Sequence, residues 1–362
     1  MRAAVLRNGE LVVDDVPEPP LGAGQLRVRP VAVGICGSDL SAWQHTEDFL
    51  RAHADTGMAG EMFDPGRDLV FGHEFTAEVL EVGEGVPDYR AGQNLVVLPA
   101  VVDAHGAPHT IGYCTDYPGG LAERVVVQAY GHLVIPDSVS PVHAAVTEPM
   151  ATGVNAVLRA GTTDREGAIV TGCGPVGLGS IVELAHRGVY PIVASDPSER
   201  RRRMALACGA TSVVDPTKAD PVEEWQAQAR PDSLLHVFEA AGARGLLDRL
   251  MAAVPRFTRI LIVGAGMLPD PIRPVVGILK NVSLEFVGGP GRGEIGYPAF
   301  EAMFEHITSG RFDPATIVTG YAGLDSVGAV FEALRPPDAH RIDHVKVLVR
   351  HDITEPGIVA SD

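Results

Sequence analysis

Side chains able to bind a metal lie far apart in the sequence, each in a short run of small or apolar residues: Cys36 in AVGICGSDL, His73 in VFGHEFTAEV and Glu148 in VTEPMATG. A thiolate, an imidazole and a carboxylate are suitable ligands for Zn²⁺. Held by protein side chains in that number, the ion keeps a coordination position open for a substrate oxygen. Spacing alone does not unite these residues. A small buried cysteine, a hydrogen-bonded core histidine and a glutamate opening a helix account for the same positions without a metal.

A second constellation has tighter spacing. The run AIVTGCGPVGLGSIVELA carries Gly172, Gly174 and Gly177 in the G-x-G-x-x-G pattern, with Pro175 and Val176 inside it. A β-type run precedes it and a helix-like run follows, which is the context the pattern needs. Gly172 permits a tight turn, Gly174 lets the backbone approach a pyrophosphate, and Gly177 lets the helix pack close to the sheet. The helix N-terminus then offers free N–H groups to the phosphates. A glycine-rich turn without a ligand is the plainer alternative. Asp196, in PIVASDPSER, falls about 20 residues beyond Gly177, where an acid would bind the adenosine ribose. A carboxylate there favours NAD over NADP. Arg200 and Arg201 keep NADP as the second option, and a surface aspartate before Pro197 is the plain reading.

These residues need elements to position them. The first part of the chain is β-rich: QLRVRPVAVGI, TAEVLEVG, NLVVLP and AERVVV are short valine-rich runs separated by Gly and Pro. Between Trp43 and Gly72 the pattern fails, and a long loop with one short helix is expected. From about residue 151 strands and helices alternate. The candidate strands are Ala168–Thr171, Ile192–Ser195, Ser212–Val214, Leu235–Phe238, Ile260–Val263 and Val282–Val287. Such alternation implies a parallel sheet covered on both faces. The tail from about Gly289 has mixed character and is expected to return to the first domain. The fold class is therefore α/β, with residues 1–150 and 289–362 forming one domain and 151–288 a doubly wound one.

The chain has 362 residues and a formal net charge of −17. The length favours two domains, and the charge argues against nucleic acid as a partner. No apolar run reaches the length of a membrane span. The N-terminus turns polar too early for a secretory signal. The four cysteines are scattered and include no C-x-x-C pair, which speaks against a disulfide framework. A cytoplasmic protein is expected.

Taken together and in order, GICGSDL, FGHEFTAEVLEVGEGV, GGLAERVVV, EPMATGVNAV and VTGCGPVGLGS resemble the zinc-dependent alcohol dehydrogenases of the medium-chain dehydrogenase/reductase family, most of all its sorbitol and threonine dehydrogenase branch. The resemblance covers almost the whole chain. It implies a GroES-like catalytic domain and a Rossmann coenzyme domain with the active site in the cleft between them. It implies a small alcohol or carbonyl substrate, NAD as coenzyme, and a homodimer or homotetramer built through the strand near Val282–Val287. By the same resemblance Cys36, His73 and Glu148 match catalytic-zinc ligands. Glu74 approaches or exchanges onto the metal, and Lys346 pairs with Glu74. Asp39 orients His73, a role with a clear physical basis. Ser38 takes the substrate proton, and Gly37 is expected to let the turn fit.

The chain departs from the family in several places. Many relatives hold a structural zinc with four closely spaced cysteines, whereas AVVDAHGAPHTIGYCTDYPGG has only Cys114. One catalytic zinc and no structural zinc are expected; Asp103, His105, His109 and Cys114 are a weak substitute set, and a surface loop is the plainer reading. Ser41 stands where many relatives have a relay histidine. His45 is nearby, and a solvent-facing residue is its plainer reading. Trp43, Phe49, Met58, Met62 and Phe63 either line an apolar pocket or form the buried side of a helix and loop. A metal-free quinone or enoyl reductase of the same superfamily, or an NAD-binding protein without activity, are the competing readings. The first would lack the Cys36, His73 and Glu148 set, and the second would be expected to lose residues such as Cys36 or Ser38. Fold alone decides none of these.

Overall fold

The computed structural model describes residues 1–57, 62–103, 105–288, 296–334 and 344–361. Met58 lies outside them. The chain divides into two units. One is Met1–Glu148 with two C-terminal pieces that begin at Val318 and Lys346; the other is Pro149–Ile317 with a short piece that ends at Val345.

The first unit is built on an eight-stranded sheet. Its central strand, Gln25–Gly34, pairs antiparallel with Glu74–Val82, Val125–Gln128 and Lys346–Val349. Alternation along Gln25–Gly34 sends Leu26, Val28 and Ala32 inward, where they join Phe75, Ala77, Val125, Val127 and Leu348 in the core. Among the described residues the one parallel pairing of this sheet is Val318–Ala322 with Lys346–Val349, which carries the C-terminal tail into it. At the N-terminus, Arg2–Arg7 and Glu10–Asp15 form a hairpin. Its turn residues Asn8 and Gly9 both have positive φ, 50° and 84°, as a tight two-residue turn requires.

The second unit holds a six-stranded parallel sheet in the order Ser212–Val214, Ile192–Ser195, Gly167–Thr171, Leu235–Glu239, Arg259–Ile262, Ser283–Phe286. Numbered within the unit this is 3-2-1-4-5-6, the doubly wound order of dinucleotide-binding domains. The apolar strands Ile169, Val193, Val237 and Ile260 pack with Trp225, Leu250 and Met251. The α/β fold class and all six expected strands are present, with bounds shifted by a residue or so.

Several expectations need correction. The helix expected between Trp43 and Gly72 is Thr46–Thr56, three turns long, and another helix, Gly37–Gln44, runs into the start of that stretch. Gly37 is the first residue of its helix, has no positive φ, and a Cβ there would meet nothing within 4 Å, so no turn requires glycine. The return to the first unit comes at Val318, well beyond Gly289. Helix Tyr297–Thr308 stays with the second unit because it buries Phe300, Met303 and Ile307, and because His306 Nε2 lies 2.7 Å from Glu183 Oε2 on helix Pro175–His186.

Candidate active site

Cys36 caps the N-terminus of helix Gly37–Gln44 from an extended conformation. Asp39, one turn on, accepts the Cys36 backbone N–H through Oδ2 at 3.0 Å. This fixes the start of the helix and buries Asp39. Ser38 projects from the same turn, and its Oγ lies 3.0 Å from Cys36 Sγ.

His73 and Glu74 arrive from another loop. Gly72 has φ 104°, and a Cβ there would come within 2.9 Å of Leu121 N, so this backbone path needs glycine. Strand Glu74–Val82 begins immediately after. His73 Nδ1 stands 3.2 Å from Asp39 Oδ1, though off the line of a hydrogen bond. Glu74 is fully buried and meets Lys346 Nζ at 2.5 Å; Lys346 also donates to Ile35 O at 3.0 Å. Burial alone would lower the Lys346 pKa, but the charge and hydrogen bond of Glu74, with the charges of Cys36 and Asp39, together outweigh it and raise it. Gly34 makes room for the pair: a Cβ there would lie 2.5 Å from Glu74 Oε2.

The ligand atoms of Cys36, His73 and Glu74 all lie within 4.8 Å of one another. Among the described residues this is the group with metal-binding geometry. Glu148, at the start of helix Thr147–Ala160, is not in that group. It is buried beside it, and burial lifts its carboxyl to about 7 even though His73 and Lys346 pull the other way.

Sequence reasoning missed Tyr113. Its hydroxyl donates to Asp39 Oδ1 at 2.9 Å and lies 2.8 Å from Ser38 Oγ. Its ring packs against His73, Phe49 and Phe71 at centroid distances of 5.1, 5.4 and 6.2 Å. Burial, then the Asp39 charge, push its phenol well above the usual range. It went unread because it sits in the segment that reads as a surface loop. There, Ala100–Val102 and Pro108–Thr110 form a small hairpin. Cys114 Sγ is 3.5 Å from His109 Nδ1, and His109 Nε2 is 3.1 Å from Asp103 Oδ2, while His105 is exposed. The bond with His109, followed by one from the Ala107 N–H, pulls the Asp103 carboxyl down to about 2. These side chains satisfy one another.

The other candidates resolve similarly. His45 is exposed at the junction between the two helices. Phe63 is buried, Phe49 packs on it at 6.4 Å, and Trp43 packs edge-on against Phe331 at 5.7 Å while its indole donates to Gly9 O. These aromatics form the inner side of the helices and loop, and Met62 is half-buried beside them.

In the second unit the glycine loop has the geometry its spacing predicts. Gly172 has φ 87°, and a Cβ would meet the Ala240–Ala241 backbone at 2.8 Å. Gly177 has no room for a Cβ, which would fall 1.9 Å from Gly172 O. Gly174 faces open space as the cap of helix Pro175–His186, with Pro175 at its first position and Val176 next. Asp196 accepts the Cys173 N–H at 2.9 Å and the Ser198 N–H at 2.8 Å. Arg201 Nη1 is 3.9 Å from Asp196 Oδ2, and its Nη2 donates to His344 O. A cleft of about 940 Å³ opens here, lined by Gly172, Gly174, Asp196, Arg201, Thr217 and Arg249. Its volume suits a dinucleotide-sized ligand.

Residues 22–137 match the alcohol dehydrogenase GroES-like domain, and residues 175–307 match the zinc-binding dehydrogenase domain. The chain is 30% identical over 351 residues to L-threonine 3-dehydrogenase of Thermococcus kodakarensis, covering 92% of this chain and 94% of that protein. It is 29% identical over 363 residues to (R,R)-butanediol dehydrogenase of Bacillus subtilis, covering 97% and 99%. The crystal structure of 2R,3R-butanediol dehydrogenase from B. subtilis superposes with a TM-score of 0.75 at 27% identity, over 96% of this chain and 99% of that one. Fold, site and relatives define an alcohol-type oxidoreductase. The chain belongs to the zinc-dependent alcohol dehydrogenases of the medium-chain dehydrogenase/reductase family. With that membership the readings as a metal-free reductase or an inactive NAD-binding protein give way. Among the described residues no helix is long and apolar enough to cross a membrane.

Proposed function

We propose that this enzyme oxidises a secondary alcohol or polyol to the ketone or aldehyde, reversibly, with NAD as its preferred coenzyme and one catalytic zinc per chain. The observation that carries the proposal is the cluster of Cys36, His73 and Glu74 ligand atoms within 4.8 Å, with the Ser38 hydroxyl 3.0 Å from the Cys36 sulfur. The donor set fits zinc: a thiol, an imidazole beside a buried carboxylate, and a carboxylate paired with an ammonium. Cys36, His73, Glu148 and, on approach, Glu74 would hold the ion. Bound there, zinc supplies Lewis acidity to an alcohol or carbonyl oxygen, as the nicotinamide supplies the hydride acceptor.

The chain's own residues do the rest. Ser38 Oγ accepts the substrate hydroxyl proton as it releases its own toward solvent. Asp39 holds His73 in one orientation. Lys346 holds the Glu74 carboxyl group in place beside the cluster. Gly172, Gly174, Pro175, Val176 and Gly177 cradle the pyrophosphate, and Asp196 takes the adenosine ribose with Arg201 at its side. The first unit is then the catalytic domain and the second the coenzyme domain. The names of the threonine and butanediol relatives support a secondary alcohol as substrate. The four cysteines are free thiols, which supports the cytoplasm as compartment.

Metal analysis of the purified protein is expected to give about one zinc per chain, and an alcohol panel followed by NADH absorbance is expected to find secondary alcohols or polyols among its substrates. Cys36→Ala is expected to lose the metal and the turnover while keeping NADH affinity. Two zincs per chain would reject the single-site count. A Cys36→Ala enzyme with full activity would reject the metal assignment.

A further inference from the structure

Counting protons at Tyr113 assigns it a task. A carboxylate only accepts, so the single phenolic proton goes to Asp39 Oδ1 at 2.9 Å. The 2.8 Å contact between Tyr113 and Ser38 must then be made with the Ser38 proton. That proton has two acceptors in reach, the Tyr113 oxygen at 2.8 Å and the Cys36 sulfur at 3.0 Å. The Ser38 hydroxyl is therefore a rotor with two settings.

We propose that Tyr113 is the positioning residue for Ser38: anchored on Asp39, it draws the Ser38 proton toward its own oxygen and leaves Ser38 Oγ presenting a lone pair to the substrate hydroxyl. Without the Tyr113 oxygen the Ser38 proton turns to Cys36, and the hydroxyl competes for the sulfur that would hold the metal. The inference rests on the reading that Ser38 receives the substrate proton. It goes beyond that reading by naming what holds Ser38 ready in a chain with serine at position 41.

The surrounding backbone is built to hold Tyr113 still. Gly112, just before it, has φ 87°, and a Cβ there would meet the Gly72 backbone at 3.1 Å. The loop that delivers Tyr113 is thus seated on the loop that delivers His73. Tyr113 N donates to Thr110 O at 3.1 Å. Phe49, Phe71 and His73 close around its ring, leaving 7% of the residue exposed. A hydroxyl held by a rigid aromatic stem can set its neighbour's hydrogen bond at little entropic cost.

The test compares wild type, Tyr113→Phe, Ser38→Ala and the double variant, each with a substrate found in the alcohol panel. Thermal melts check that the phenylalanine ring keeps the packing. Tyr113→Phe is expected to lower kcat by about ten- to a hundred-fold with KM changed less than about threefold, the scale of losing one hydrogen bond in a charged network. On the Ser38→Ala background the same change is expected to cost less than about twofold, because the residue it acts through is gone. Asp39 loses its donor beside His73, so Tyr113→Phe is also expected to yield its zinc to a chelator about tenfold more readily, whereas Ser38→Ala keeps the wild-type retention. A wild-type kcat in Tyr113→Phe, an equal loss on both backgrounds, or unaltered zinc retention overturns the proposal. If Ser38→Ala itself turns over like wild type, the assignment of the proton to Ser38 fails, and the role of Tyr113 fails with it.

Discussion

Asp196 ties two backbone segments together through one carboxylate. Each oxygen takes a backbone N–H, from Cys173 and from Ser198, which fixes the glycine loop and the entry to the next helix. A carboxylate has about four acceptor sites, so both oxygens keep capacity for the ribose hydroxyls. Its negative charge disfavours a 2′-phosphate at the same place, and Arg201 stands 3.9 Å away, close enough to serve one if the acid were removed. Asp196→Ala is expected to cut the NAD-over-NADP preference, measured as the ratio of kcat/KM values, by about tenfold or more, which corresponds to about 1.4 kcal/mol. An unchanged ratio would mean that other residues set the preference. At this scale the sequence was readable where residue type alone narrows the chemistry: Cys36, His73, the glycines and Asp196. Tyr113 was unreadable because nothing in its local run marks a buried hydroxyl aimed at residues some 75 positions away. Gly37 was misread because a glycine beside a cysteine looks like a turn, while Cys36 in fact caps a helix.

Elements were legible where their period was strong. The six parallel strands are short apolar runs with helices between them, and that alternation implies the parallel sheet they form. Helix Tyr297–Thr308 was legible as a helix, but its unit was not, because nothing in its own sequence says which partner it packs on. The deciding contact is the buried carboxylate of Glu183, which receives His306 Nε2 at 2.7 Å and donation from Arg187 Nε at 2.6 Å. Burial alone would raise the Glu183 pKa, but the bonds from His306 and Arg187 outweigh it and hold the carboxyl below its ordinary value. A depressed folded pKa contributes stability that is present above the unfolded value, about 4.3, and is lost as pH falls through the folded one. Glu183→Gln is therefore expected to destabilise the protein by about 1–3 kcal/mol near pH 7. The deficit should shrink as the pH falls below about 4, when wild-type Glu183 takes up its own proton. Calorimetric melts of both proteins across that range check the sign: a deficit that stays constant with pH would show that lost packing, not the ionised pair, accounts for the change.

At the scale of the molecule, one end of the parallel sheet carries exposed apolar side chains. Strand Ser283–Phe286 ends the parallel sheet, and among the described residues its outer edge has no strand partner. Phe286 is 73% exposed, and Ile278 and Leu279 on the neighbouring helix are 71% and 70% exposed. Apolar side chains of this size gathered at a sheet edge are what an association site would present. The partner we argue for is a second copy of the chain, because a two-fold axis beside an edge strand lets the same strand complete both sheets with one self-complementary patch. The net charge of −17 opposes that pairing, so contact has to be driven by apolar burial and should tighten as salt screens the charge. Light scattering on a sizing column is expected to give a multiple of 38.2 kDa. Phe286→Lys with Ile278→Glu is expected to halve that mass, and the variant's apparent mass should rise less with added salt than that of wild type. A wild-type mass near 38.2 kDa would reject association altogether, and an oligomer that survives both substitutions would place the interface elsewhere on the surface.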